Sequence, residues 1–461
     1  MQIFNKSKIV NNGHDLVNKR ARRYILEAFE TALAAVDPQR ILRSELILEN
    51  SMLMIKNASF DLDSFENTFV VGAGKAVGFM AKALEELLLN RITAGIVVVP
   101  HGTQSYGLHK MRIVEASHPL PDESSGEAAA SVMDITERVG NEDLVICLIS
   151  GGGSSLLCSP PKGITISEKR ELTSKLLRSG ATIEEINAVR KHLSQIKGGR
   201  LARKCYPATI LNLVISDVMG DRLDTIASGP TSPDPTTFKD AIGVIKNYKL
   251  WRKTPTSIRS FLSDGKDGLV DENPKPGEEV FGRVHSFVLA NNRTACLAAC
   301  RELKKRGVNT LLLTSQIEGE ARYVGSILAA IAQEIVSSDH PIPTPAAVVV
   351  GGETSVTVTG KGRGGRNQEI ALSASLKLQH SKRVVIGSIN TDGIDGVAPA
   401  AGAVADCRTI QRARKQGLSG RDFLQENNSY EFFSRLGDAI VTGATETNVN
   451  DISIVLVLED R

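Results

Sequence analysis

The chain has 461 residues, with 55 Lys and Arg against 52 Asp and Glu, and 41% of its residues are hydrophobic. That length exceeds one ordinary hydrophobic core, so two or more domains are expected, and near-balanced charge without a long Lys/Arg block or interleaved aromatics gives no sign of a nucleic-acid surface, so no nucleic-acid partner is expected. Apolar runs such as 144–149 and 346–350 fall far short of a bilayer span and read as buried strands, so no membrane association is expected.

The first element predicted is an amphipathic helix over 15–35, with Leu16, Ile25, Ala28 and Leu33 at helical spacing, expected to pack on a sheet edge. The chain then repeats one rhythm: a short apolar strand, a glycine-rich turn, a helix. Strands are expected at 68–71, 95–99, 144–149 and 208–215, the signature of a parallel α/β sheet. Between 252 and 283 the periodicity fails and Pro255, Gly265, Gly268, Pro274 and Pro276 accumulate, which reads as a linker. The expected domains are therefore 1–251 and 284–461. The second has strand-like runs at 286–289, 310–313, 346–350, 384–389 and 452–456.

Six scattered cysteines, with Cys296 and Cys300 lacking a second pair to complete a metal site, read as reduced thiols of a cytoplasmic protein. Lys6 and Lys8 accompany no apolar signal core, and a mitochondrial presequence is the minor alternative.

Glycine, at 40 residues, marks the candidate chemistry. Turns that lead from a strand into a helix offer backbone N–H groups and the helix dipole to an anion. Gly72-Ala73-Gly74-Lys75 adds a cation that could meet charge on a transferred phosphoryl group. It is not a Walker A loop, because Phe69 and Ala76 stand where that pattern needs Gly and Ser/Thr. The dinucleotide fingerprint fails too, since its third glycine falls on Val77. Ser150-Gly151-Gly152-Gly153-Ser154-Ser155 follows an apolar strand, and its three glycines cost backbone entropy that a bound anion would offset; a tight structural turn is the bland alternative.

Asp217 and Asp221 lie at a strand's carboxyl end, and Glu353, Asp392 and Asp395 follow other strands or glycines. Carboxylates there could hold Mg²⁺ or simply cap helices. The segment 351–369 concentrates glycines with Lys361, Arg363 and Arg366, and Arg366 opens a helix, a position suited to a bidentate contact with phosphate or carboxylate. His118, in Ser117-His118-Pro119, is either a general base or a turn residue.

In these residues the chain resembles the MOFRL-type, or class II, glycerate kinase family. The similar segments are 71–76, 117–122, 151–156, 187–194, Lys197-Gly198-Gly199-Arg200, 216–221, 227–233, 362–369 and 391–396, and the loop 442–447 departs from the family pattern. The resemblance implies a Rossmann-like parallel-sheet N-terminal domain, a smaller α/β MOFRL C-terminal domain, and a cleft between them. It also implies Mg²⁺-ATP-dependent phosphorylation of D-glycerate to 2-phosphoglycerate. Lys75 and Arg366 correspond to the family's catalytic pair. Gly72, Gly74, Ser150, Gly151, Gly152, Gly153, Ser154, Ser155, Lys197, Arg200 and Asn367 are the expected binding residues, and Asp217, Asp221, Glu353 and Asp392 the expected metal ligands. Glycerate and ATP are the expected partners of a monomer or homodimer. A hydroxypyruvate reductase and a non-catalytic sensor of organic acids are the rival readings.

Overall fold

The run LVICLI at Leu144–Ile149 is buried at every residue, as a strand covered by helices on both faces must be. It belongs to the first of two units into which the chain divides in a computed structural model describing residues 2–103 and 106–459. The units are Ile41–Leu289, and Met1–Arg40 with Ala290–Arg461. No helix among the described residues is long and apolar enough to cross a membrane.

The unit Ile41–Leu289 opens with an antiparallel sheet of β1 (Leu46–Glu49), β2 (Met52–Ile55) and β3 (Ala58–Asp61). Its main sheet contains β4 (Thr68–Ala73), β5 (Ala94–Pro100), β6 (Met111–Ala116), β7 (Leu144–Ile149), β8 (Thr209–Ile215) and β9 (Val284–Ala290), in the order β6-β5-β4-β7-β8-β9. Pairing from β6 through β8 is parallel. Counted from β4, this is the doubly wound order 3-2-1-4-5-6, which reverses between β4 and β7. Ligands in such sheets bind outside the carboxyl ends of the strands at that reversal. Both glycine turns, 72–75 and 150–155, stand there.

The other unit contains β10 (Asn309–Ile317), β11 (Ala346–Gly352), β12 (Val384–Asn390), β13 (Gly402–Asp406), β14 (Ala439–Ile440) and β15 (Asp451–Val457), ordered β10-β11-β15-β12-β13-β14. Only β10 and β11 pair in parallel. β15, buried along its whole length, lies antiparallel between β11 and β12, so the strand–helix rhythm that predicts parallel pairing does not hold here.

The expected boundary at 252–283 is corrected. That stretch contains the helix Thr256–Lys266, whose Ile258 and Leu262 are fully buried against Phe238, Leu172 and Leu176. Glu272 accepts a hydrogen bond from the His192 ring at 2.8 Å, and Asn273 donates to Asp234 at 2.7 Å. Proline and glycine here shape a packed connection, and β9 returns to the first sheet. The opening helix is corrected in the same way. Leu16–Ala35, capped by Asp15 on the Asn18 N–H at 2.7 Å, belongs with the C-terminal unit. It covers a sheet face: a Cβ on Gly387 of β12 would strike Ile25 and Phe29.

Arg22 fixes that helix. Fully buried, it donates to Asp406 at 2.6 Å and to Asp438 at 2.7 Å, and also to the Ile9 carbonyl at 3.1 Å.

Candidate active site

The two glycine turns at the strand reversal pack on one another, and this accounts for most of their glycine. Gly74 N donates to the Val98 carbonyl at 3.1 Å, Lys75 N to the Gly151 carbonyl at 2.9 Å, and Ala76 N to Ser150 Oγ at 3.0 Å. A Cβ on Gly74 would collide with Ser150 Oγ. The expectation that Gly72 and Gly74 present amides to a phosphate is therefore corrected: those donors are used inside the protein. Gly72 makes room for Val77 and the Leu148 carbonyl.

The second turn remains open. Gly152 adopts φ +88°, which favours glycine, and the amides of Gly151 and Gly152 make no hydrogen bond among the described residues. The serines brace the turn: Ser154 Oγ lies 2.9 Å from Ser228 Oγ, and Ser155 Oγ donates to the Gly152 carbonyl at 3.0 Å. The Asp217 carboxylate fills the space a Gly151 side chain would need. A carboxylate resting on an anion-binding turn repels that anion unless a cation bridges them.

Lys75, half-buried, sends its side chain past Gly152, and His118 borders the same glycine. Burial, reinforced by the Lys75 charge, pushes His118 down to about 4, so its ring is neutral at pH 7 and a weak base there.

Beyond this turn lies a cavity of about 370 Å³ whose lining includes His118, Gly152, Ser154, Lys169, Arg190 and Lys197. Lys197 Nζ donates to the Ser154 carbonyl at 2.7 Å and Lys169 Nζ to the Leu193 carbonyl at 2.6 Å. Burial, with Lys169 and Arg190 nearby, pushes Lys197 well below the usual lysine range. Arg200, expected beside Lys197, faces elsewhere: its guanidinium donates to Asn273 at 2.6 Å and to the Asp271 carbonyl at 2.8 Å, so it braces the 271–273 segment. Lys169 and Arg190 were not among the expected binding residues. The signal was a lysine in register with buried Leu172 and Leu176 on one helix, where solvent-facing lysines do not sit.

Arg366 opens the helix Arg366–Lys377 in the other unit. Its Nε pairs with Asp451 at 2.6 Å and its Nη1 with Glu353 at 2.7 Å. Burial opposes the Arg366 charge, but these two carboxylates outweigh it and the guanidinium stays charged. Burial pushes Asp451 up to about 7. Asn367, fully buried, donates its backbone N–H to Asp395 at 3.0 Å and its side chain to Asp451 at 2.8 Å, and Gln368 N donates to Asp395 at 2.8 Å. Asp395 thus takes the helix N-terminus that an external anion was expected to occupy, and Asn367 is a bracing residue. The glycines allow this approach, since a Cβ on Gly365 would collide with Asp395.

The four expected metal ligands are divided, Asp217 and Asp221 in one unit, Glu353 and Asp392 in the other. Asp221 sits in a short turn at φ +54°, Glu353 is paired with Arg366, and Asp392 Oδ1 accepts the Ile394 N–H at 2.9 Å. None of the four belongs to a cluster of three potential ligands among the described residues; the one such cluster is His14, Asp406 and Cys407. Asp406 there is already neutralised by Arg22.

A doubly wound sheet with an open glycine turn, an adjacent lysine and a cation-lined cavity at its strand reversal defines the class: an α/β protein that gathers positive groups where such sheets bind their ligands. Comparison with known proteins narrows the class. The MOFRL family profile matches residues 346–451, and a domain of unknown function, DUF4147, matches 24–263. The chain is 40% identical over 433 residues to a glycerate 2-kinase of Pyrococcus horikoshii, covering 93% of this chain and 96% of that one. A protein of Agrobacterium vitis that bears the name "Putative hydroxypyruvate reductase" is 40% identical over 439 residues, 95% of this chain and 94% of its own. The crystal structure of a glycerate kinase from Thermotoga maritima superposes with a TM-score of 0.83 at 38% identity, covering 94% of this chain and 98% of that one. This chain belongs to the MOFRL-type glycerate kinase family.

Proposed function

We propose that the protein transfers the γ-phosphoryl group of ATP to D-glycerate, giving 2-phosphoglycerate, and that residues of both units take part, as the cleft expected from sequence requires. The observation that carries this reading is the open Gly151-Gly152 turn flanked by Lys75 on one side and the Asp217 carboxylate on the other. Such a turn offers donors and a cation to phosphoryl oxygens, and the Asp217 carboxylate would hold an accompanying Mg²⁺. Mg²⁺ commonly needs only one or two protein carboxylates beside the phosphates it binds, so Asp217 would suffice to hold it at this turn. When bound, the ion would neutralise charge between the phosphoryl groups.

In the reaction the acceptor hydroxyl oxygen bonds to the γ-phosphorus while the bond to the bridging oxygen breaks, and ADP leaves with that electron pair. Lys75 and Arg366 stabilise the equatorial oxygens or hold the acceptor's carboxylate. Asp217 is the base candidate in reach of the turn, and a loose transition state asks little of it. The reductase reading is weaker, because the first turn's amides are satisfied internally and Val77 takes the place of the third glycine.

NMR of the product formed from D-glycerate, ATP and Mg²⁺ tests the proposal. 2-Phosphoglycerate is expected; NADH or NADPH oxidation by hydroxypyruvate without ATP consumption overturns it. Arg366→Lys should lower kcat/KM by about tenfold or more, because an ammonium keeps the charge but cannot span both Asp451 and Glu353 and still present a donor. Unchanged kinetics in that variant would make Arg366 a purely structural cation.

A further inference from the structure

The cavity beside the open turn has an unusual charge balance. Lys169 is 5% exposed and Lys197 2%, and Arg190 comes from the helix Ile183–His192 to join them. Aspartate and glutamate are absent from the described lining, and Lys169 and Lys197 donate instead to backbone carbonyls. Buried lysines are ordinarily compensated by a carboxylate. Here each ammonium has only a backbone carbonyl, and the three like charges line one cavity, with Lys197 close enough to Lys169 and Arg190 for their charges to oppose its own. Folding alone gains nothing from that arrangement, whereas a polyanion would relieve it.

The same lining also has apolar members. Leu120, 59% exposed, and Leu177, 54% exposed, line the mouth with Pro119 and Pro121. These side chains offer apolar surface next to the cations, the combination that a ligand with both a charged and an apolar part requires. Glycerate offers a single carboxylate and no apolar face. A cavity of about 370 Å³ lies in the range of roughly 300–1,000 Å³ typical of sites for larger organic ligands.

We infer that this cavity holds a nucleoside di- or triphosphate, its phosphates on Arg190, Lys197 and Lys169 and its base against Leu120 and Leu177. The open amides of Gly151 and Gly152 then meet the terminal phosphate, which faces Lys75. The inference rests on the phosphotransferase reading for the choice of a nucleotide, and it assigns the residues that bind the donor. Arg190 supplies a planar fork for two phosphate oxygens, and the lysines act as point charges. A bound polyphosphate also favours the charged form of Lys197, which burial and the neighbouring cations disfavour in its absence.

Isothermal titration calorimetry of the full-length protein with ADP, tripolyphosphate and D-glycerate tests it. ADP and tripolyphosphate should bind the unaltered chain, and Arg190→Gln should weaken both by about tenfold or more. The double variant Leu120→Ala/Leu177→Ala, at exposed positions, should weaken ADP by about fivefold while tripolyphosphate stays within about twofold. Unchanged ADP affinity in both variants overturns the inference. So does loss of D-glycerate binding in Arg190→Gln with ADP binding intact, which would give the cavity to the acid. A protein that binds ADP as described yet leaves D-glycerate unphosphorylated supports this inference and overturns the proposed reaction. One that phosphorylates D-glycerate with KM for ATP unchanged in both variants does the reverse.

Discussion

Lys75→Met is expected to lower kcat by about 10²–10³-fold, the loss seen when one preorganised charge is removed from a developing anion. The thermal midpoint should stay nearly constant. Lys75 is half-buried and reaches past Gly152 toward the open turn, so the methylene stem retained by methionine keeps most of its packing. Its backbone bond to the Gly151 carbonyl, 2.9 Å, does not depend on the side chain. Steady-state kinetics with D-glycerate and ATP, read beside a thermal melt, separate the outcomes. A large fall in kcat with an unmoved melt supports the role. Near-native kcat removes Lys75 from the mechanism, and a collapsed melt makes it structural. His118 in the same variant should titrate higher, because one of the two causes that hold it near 4 is gone.

The second large effect concerns stability. Arg22→Met should destabilise the unit built from Met1–Arg40 and Ala290–Arg461 by about 3–5 kcal/mol, the usual consequence of removing one partner from a buried ion network. Asp406 is 1% exposed and would lose its only ion-pair partner among the described residues; Asp438 would keep Arg412 at 2.6 Å. Asp406→Asn in the Arg22→Met background should recover part of the loss, since the amide removes the stranded charge. Far-UV circular dichroism in urea, with hydrogen exchange across Leu16–Ala35, reads the transition. Fluorescence is unsuitable, because Trp251 is the only tryptophan and lies in the other unit. A loss below about 1 kcal/mol would show that the network neither anchors the helix nor strands a charge when cut.

Strands were the most legible feature, because a fully buried strand is a short apolar run wherever it occurs. The runs at 144–149 and 346–350 coincide with β7 and with most of β11. The opening helix was legible from its apolar spacing, and the structure adds the cap that starts it, Asp15 on the Asn18 N–H. The candidate site was readable at Lys75 and the 150–155 turn, where glycine and charge follow a strand end. Lys169 and Arg190 escaped notice because each lies within an ordinary amphipathic helix, and only packing turns those faces into one cavity.

What the sequence determined by itself was local: the buried apolar strands, the opening helix, where the backbone must turn tightly, and the family. Tertiary structure alone decided which groups meet. It gave the opening helix to the C-terminal unit through Arg22, and it set β15 antiparallel between β11 and β12. It also answered glycine-rich segments with the protein's own groups, Ser150 at one turn and Asp395 at a helix N-terminus. The physical reason is that a glycine records only the need for close approach. Whether the approaching partner is a ligand, a serine or a carboxylate depends on residues distant in the chain, whose positions no local pattern encodes.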